Sequence, residues 1–471
     1  MSMKEGLVVL PVPGRGHLVS TVEFAKLINK HNHFSITVLT MAPPFPDLPI
    51  VPDSYFESVA SSGLDINFLE LKPVDPPDDP SLDDFILSYI DSHTSDVKTS
   101  ILGLQSSIRV VALVVDFFAT TVQEVGNQLG IPTYLFFTSG ASLLSLMLYL
   151  PTLDIKVESE FEDLEEDVEI PGLGPLPPLV MPAPLLKKKS KRYLWFVESS
   201  RRFRYMKGLI VNTFRELEPA ALEAIAEGRS LPDYPTPPVF PVGPVLVLEE
   251  KDPSHPCITW LDNQPPRSVV FLCFGSMGAL PEPQVKELAL GLENSGHRFL
   301  WSIRTRRNQN VFSPPTNADL DEVLPEGFLD RTKERGFVWP RWAPQTDILS
   351  HEAIGGFVSH CGWNSTLESM WFGVPILPWP LRAEQRLNGF KLVSEIGVAV
   401  ELEMNYRGQS LVGASEVERG VRSLMGNTEE GKKARDKAIE MRAASRAAVD
   451  AGGSSFDALS RLTEQLLSDG L

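Results

Sequence analysis

Short apolar runs that end in glycine turns and lead into longer amphipathic stretches recur along the chain. Leu7–Pro11 is followed by Gly14-Arg15-Gly16 and an apolar pattern of helical period to about Lys30. Ser268–Phe274 is followed by Gly275-Ser276-Met277-Gly278 and a second helical pattern to Asn294. Each reads as strand, tight turn and helix. Val110–Val115 and Gly355–His360 are apolar runs of strand length, as expected for strands buried on both faces of a parallel sheet. Ile131–Leu150 is the most apolar stretch, but Thr133, Thr138, Ser139, Ser142 and Ser145 interrupt it, so it predicts strand, loop and helix in place of a membrane span.

Alternation of strand and helix patterns on either side of a proline-dense stretch predicts two Rossmann-like α/β units. Pro232, Pro235, Pro237, Pro238, Pro241, Pro244, Pro253 and Pro256 crowd Leu231–Pro256 and stiffen a connection there. The predicted organisation is a first domain over residues 1–243, a linker over 244–258, a second domain over 259–453 and a terminal segment over 454–471. Pro151–Arg192 reads as irregular: an acidic run, Glu158–Glu169, gives way to prolines and then to Lys187-Lys188-Lys189-Ser190-Lys191-Arg192 before Tyr193, Leu194, Trp195 and Phe196.

One run, Trp342–Gln385, has the parts of a site for a nucleotide diphosphate sugar. Its indole suits a flat base. The turn at Gly362, with Asn364 or Ser365 capping the helix that follows, would aim unpaired N–H groups at a diphosphate without Lys or Arg. His360, Asn364 and Ser365 can add donors, and Glu384-Gln385 can grip hydroxyls. The helix should stop near Gly373, before Pro375. Ser365-Thr366-Leu367-Glu368 also fits a capping box in which Glu368 folds back on the first turn; in the other reading Glu368 accepts from ribose hydroxyls.

This run, dense and ungapped, resembles the signature box of plant secondary-product UDP-glycosyltransferases, inverting enzymes of glycosyltransferase family 1, with a flavour closest to family 71 of the plant enzymes. The resemblance extends from PVPGRGHLVSTVEFAKL at Pro11 to GGSSFDALSRL near the end. It implies the GT-B fold, two facing Rossmann-like domains with a cleft between them, and a last helix that crosses back to the first domain. It implies further that Trp342 stacks on uracil, the Ala343 backbone pairs with the base edge, Gln345 and Glu368 face the ribose, and His360, Asn364 and Ser365 face the phosphates. Trp363, Glu384 and Gln385 would face the sugar, and Thr138, in LFFTSG, resembles a residue that touches it. Gln385 and Trp363 resemble members that use UDP-glucose. Arg382 departs from the pattern: it reads either as a surface side chain or as a partner for a uronic carboxylate.

Transfer to an alcohol or phenol needs a base for the acceptor proton, and His17 is the candidate, since Gly14 and Gly16 let a ligand approach the backbone. Asp116 ends the Val110–Val115 strand at the carboxyl edge, where open α/β sheets bind ligands. It either orients His17 or caps the next helix. In the family resembled, these two positions are the base and its partner. The leaving diphosphate would be stabilised by the helix start at Asn364 and the turn around Ser276, with no metal and no permanently bound cofactor. Phe117, Phe118, Leu143, Leu144, Met147 and the loop near Met181 are candidate acceptor contacts from the first domain, beneath a lid formed by the 151–192 stretch. They imply a lipophilic acceptor such as a flavonoid, simple phenol, phenylpropanoid or terpenoid.

Composition narrows the rest. A chain of 471 residues with 43% hydrophobic and 22% charged residues is ordinary for a globular protein. The net charge of −18 opposes nucleic acid and anionic membranes. Three cysteines without CxxC spacing suggest neither a disulfide framework nor structural zinc. A cytoplasmic monomer is the expectation. A nicotinamide dehydrogenase fits poorly, because Val19 stands where a third glycine would and the second strand lacks an acid at its end. A non-catalytic sugar-nucleotide sensor would have no need of His17 and Asp116.

Overall fold

The computed structural model describes residues 3–32, 34–43, 51–74, 88–248, 251–306, 315–407 and 411–469. Two compact units divide the chain: residues 1–178, 184–247 and 447–471 form one, and residues 179–183 and 248–446 form the other.

In the first unit the strands are β1 (Lys4–Leu10), β2 (Ser35–Thr40), β3 (Ile66–Glu70), β4 (Ile108–Asp116), β5 (Thr133–Phe137), β6 (Val168–Ile170), β7 (Gly174–Leu176), β8 (Gly208–Val211) and β9 (Val239–Pro241). They make a sheet of order β3-β2-β1-β4-β5-β8-β9, parallel throughout, with β6 and β7 as a separate antiparallel hairpin. The second unit has β10 (Val269–Cys273), β11 (Arg298–Ser302), β12 (Arg304–Thr305), β13 (Thr316–Asn317), β14 (Gly336–Trp339), β15 (Ile354–Ser359) and β16 (Ile376–Pro378). Its parallel sheet runs β14-β11-β10-β15-β16, and β12 pairs with β13.

Strand order reverses between β1 and β4 in one sheet and between β10 and β15 in the other. At such switch points the loops leaving neighbouring strands diverge to opposite faces and open a crevice at the carboxyl ends. The turn after β1 carries His17 and β4 ends in Asp116; the turn after β10 carries Ser276 and the one after β15 carries His360. Both candidate centres thus lie at the position that sheet topology reserves for ligands.

The helix Ser454–Asp469 completes the first unit. Leu459, Leu462 and Leu466 are buried in one cluster with Leu7, Val9, Tyr134 and Ile210. The Tyr134 hydroxyl donates to Asp469 Oδ2 at 2.6 Å, and Ser455 Oγ donates to the Gly243 carbonyl at 2.5 Å.

Three expectations need correction. The helix Ala141–Lys156 runs through Pro151, so the irregular stretch starts later than its proline implied. Every residue from Ala141 to Leu150 is buried, and that packing outweighs the roughly 3 kcal/mol that an interior proline costs. The stretch beyond it contains the β6–β7 hairpin, and its basic end opens the helix Lys191–Phe203, capped by Ser190 Oγ on the Tyr193 N–H at 3.1 Å. Finally, Leu179–Ala183, with Met181, belongs to the second unit and not to the first; Arg386 Nη1 donates to the Leu179 carbonyl at 3.3 Å. Among the described residues, no helix is long and apolar enough to cross a membrane.

Because Leu462 is fully buried, Leu462→Ala should destabilise the first unit by about 2–5 kcal/mol. Thermal unfolding with a UDP-binding control checks this; an unshifted transition would mean the helix is not docked.

Candidate active site

Asp116 is fully buried at the end of β4 and makes both of the contacts that its two readings call for. Its Oδ1 accepts from the Phe118 N–H at 2.9 Å, capping the short helical turn Phe117–Val122, and its Oδ2 lies 2.8 Å from His17 Nδ1. His17 enters from the helix Arg15–Asn32, whose first turn is made when the His17 and Leu18 N–H groups donate to the Gly14 carbonyl. Gly14 has φ +131°, open only to glycine, and the Gly16 carbonyl accepts from Ser20 Oγ at 2.7 Å.

With Nδ1–H donated to Asp116, the lone pair resides on Nε2, the tautomer a general base requires. Thr138 Oγ1 is 3.3 Å from the same Nδ1. The rings of Phe117 and Phe118 lie 5.8 and 5.3 Å from the imidazole. The structure therefore brings His17, Asp116, Thr138, Phe117 and Phe118 together. Leu143, Leu144, Met147 and Met181 are all buried, as core side chains are.

In the second unit, the helix Trp363–Phe372 starts directly after Gly362, which occupies the N-cap position, and ends at Gly373 with φ +71°. Neither Asn364 nor Ser365 is the cap, because both already lie within the first turn. That position also removes the capping-box register. Glu368 Oε2 instead accepts from Gln345 Nε2 at 2.5 Å, and the same amide donates to Ser365 Oγ at 2.8 Å. A glycine cap leaves the first-turn N–H groups uncovered by any cap side chain, which suits an anion.

His360 sits between two glycines. A Cβ on Gly275 would come within 2.4 Å of its Nε2 and one on Gly362 within 2.5 Å. Burial, with a smaller push from the Arg382 guanidinium, lowers the His360 pKa to about 3, so the ring is neutral. Arg382 is half-buried, contrary to its reading as a surface side chain; burial first and Arg306 second lower its pKa to about 10. Gln385 Oε1 accepts from the Leu381 and Arg382 N–H groups at 2.8 and 2.9 Å, so its carbonyl end is committed to the turn that precedes it. Glu384 is half-buried and Trp363 is buried, both in the second unit.

Arg304 and Arg306 were missed by sequence reasoning. Arg304 donates to the Gly275 and Ser276 carbonyls at 2.7 and 2.6 Å, and Arg306 to the Met277 carbonyl at 2.9 Å. In a trans peptide the N–H opposes the C=O, so the Ser276 and Met277 N–H groups point away from Arg304. Arg304 also lies 5.3 Å from the centre of the Trp342 ring, bracing an indole that is 48% exposed. Ala343, which follows it, is buried. The one available signal was an arginine just beyond an apolar strand, which is too common to single out.

Residues 220–426 match the family described as UDP-glucoronosyl and UDP-glucosyl transferase. Malvidin galactosylase UGT88C3 of Oryza sativa subsp. japonica is 48% identical over 480 residues, covering 99% of this chain and 98% of its own. The chain belongs to the plant UDP-glycosyltransferases. A second member, UDP-glucose flavonoid 3-O-glucosyltransferase 6 of Fragaria ananassa, is 41% identical over 486 residues and 99% of each chain. The crystal structure of Medicago truncatula UGT71G1 complexed with UDP-glucose superposes with TM-score 0.84 at 39% identity, covering 98% of each chain. The fold is accordingly GT-B and the activity that of a UDP-sugar-dependent glycosyltransferase acting on a small molecule. Among the described residues, no group of three or more His, Cys, Asp or Glu could hold a metal ion.

Gly275→Ala should weaken UDP binding at least tenfold, because the new methyl group meets the His360 ring and φ is +77° there; calorimetric titration with UDP checks it. His360 also makes stability pH-dependent. Between about pH 6.5 and 3 the unfolded chain carries a proton that the folded chain does not. Stability should thus fall on acidification below about 6.5, by up to ~1.4 kcal/mol per pH unit from this group. Melting curves from pH 7 to 5 should be flatter for His360→Asn, with a remainder from His297, which burial likewise lowers.

Proposed function

We propose that the enzyme transfers glucose from UDP-glucose to a hydroxyl of a lipophilic, flavonoid-like phenolic acceptor, with inversion to a β-glucoside. The observation that carries the catalytic part is the buried Asp116–His17 contact at 2.8 Å beside two phenylalanine rings. His17 Nε2 takes the acceptor proton, and the Asp116 carboxylate offsets the charge that develops on the ring. The acceptor oxygen attacks the anomeric carbon as the bond to the β-phosphate oxygen breaks, and UDP leaves with the electron pair. A single displacement on an α-linked donor yields a β-linked product.

In this reading Trp342 stacks on uracil, the Ala343 backbone meets the base edge, and Gln345 with Glu368 faces the ribose. His360, Asn364, Ser365 and the Ser276 turn meet the diphosphate, whose departing charge is offset by these donors and not by a resident cation. Thr138, Trp363, Glu384 and Gln385 read the sugar. Glucose is supported by Gln385 with intact Trp363 and by the strawberry relative's name. Galactose is the second reading, favoured by the rice relative's name at 48% identity; the half-buried Arg382 keeps a uronic donor in the test. A cytoplasmic monomer remains part of the proposal, in keeping with the acidic, cysteine-poor chain.

Purified enzyme given equal UDP-glucose, UDP-galactose, UDP-xylose and UDP-glucuronate with a mixed acceptor panel should form glucosides in excess. Predominant galactosides or glucuronides, resolved by chromatography and mass, would replace glucose as the donor. His17→Ala should lower kcat by about 10²–10⁴ while UDP affinity is kept; unchanged turnover would remove His17 as the base.

A further inference from the structure

Trp195 has no role in the mechanism above, yet its ring continues the aromatic surface that begins at His17. Phe118 lies 5.3 Å from the imidazole, and Trp195 stacks on Phe118 with ring centres 5.7 Å apart and planes 27° apart. Phe196 closes the group, edge-on to both Trp195 and Phe118 at 5.2 and 6.2 Å. The helix Lys191–Phe203 presents these two rings to the Phe117–Val122 turn, so base and aromatic wall belong to one unit.

The indole nitrogen of Trp195 is buried and finds no hydrogen-bond acceptor among the described residues. Ser199 and Ser200, one turn further on, also have buried hydroxyls without a partner, but a hydroxyl rotates to suit its surroundings, whereas an indole N–H is fixed in the ring plane. Leaving such a donor unpaired is unfavourable, and phenylalanine would fill the same wall without that cost. A partner that arrives with the substrate removes the penalty. It must carry an oxygen acceptor apart from the hydroxyl being deprotonated, on a planar body able to lie along Phe118.

We infer that Trp195 is an acceptor-specificity residue, whose indole N–H donates to a ring carbonyl or equivalent oxygen on a planar, fused-ring phenolic acceptor. The inference rests on His17 being the base, as proposed above. It separates acceptors that carry a second oxygen function from those whose only oxygen is the reacting hydroxyl, because only the former pair the indole.

The test compares 7-hydroxycoumarin with 2-naphthol, two bicyclic phenols of similar outline, of which only the first has a ring carbonyl. In wild-type enzyme and Trp195→Phe with UDP-glucose, the ratio of kcat/KM for 7-hydroxycoumarin to that for 2-naphthol should fall about threefold to tenfold in the variant, through KM and not kcat. An unchanged ratio, or an equal fall for both acceptors, would overturn the inference and leave Trp195 as packing. Unaltered UDP affinity and melting temperature establish that the variant is folded. If wild type glucosylates neither compound, the proposed activity fails on these acceptors. The same ratio is then read as equilibrium binding in the presence of UDP, where loss of discrimination in Trp195→Phe supports the inference and equal binding ends it.

Discussion

A carboxylate with no exposure to water must have its lone pairs met by protein donors, and Asp116 meets that requirement by joining two elements. The Phe118 N–H fixes the turn that leaves β4, and the His17 ring fixes the first turn of the helix that leaves β1. Those two strands are neighbours only because the sheet reverses order there. Burial of the acid therefore sets the imidazole tautomer, the placement of two phenylalanine rings and the path of both loops together. Removing either partner would leave a desolvated group uncompensated, which couples the proposed chemistry to local stability at this point.

The site proposed for the diphosphate faces the opposite problem, attraction of an anion by a chain of net charge −18. The donors proposed for it are mostly peptide N–H groups at the start of Trp363–Phe372 and in the turn after β10. Arg304 and Arg306 shape that turn by holding its carbonyls. His360 is a neutral ring there, held between glycines where no side chain fits. Oriented dipoles can bind a diphosphate while adding little net charge that would have to be desolvated when the site is empty.

Much of this is legible in the amino-acid sequence. The strand–glycine–helix units and the stop at Gly373 follow from periodicity and turn chemistry, which act over a few residues. Failures came where distant packing overrode local preference. Pro151 stays helical because ten preceding residues are buried. The cap expected at Asn364 or Ser365 is instead Gly362, where the His360 ring occupies the space a side chain would take. Arg382 reads as solvent-facing by composition and is half-buried by its neighbours.

The amino-acid sequence by itself determined the two α/β units, their glycine turns and the chemical inventory of the site, because these depend on short-range periodicity, on glycine's freedom at positive φ and on residue type. Tertiary structure alone decided which inventory members touch. Glu368 pairs with Gln345 across 23 positions, Asp116 with His17 across 99, and Arg304 grips a turn 28 to 29 residues earlier. Such pairings depend on strand order in a parallel sheet, where each crossover returns the chain to the same edge. Strand order is set by the summed burial of whole faces and not by any single residue's preference.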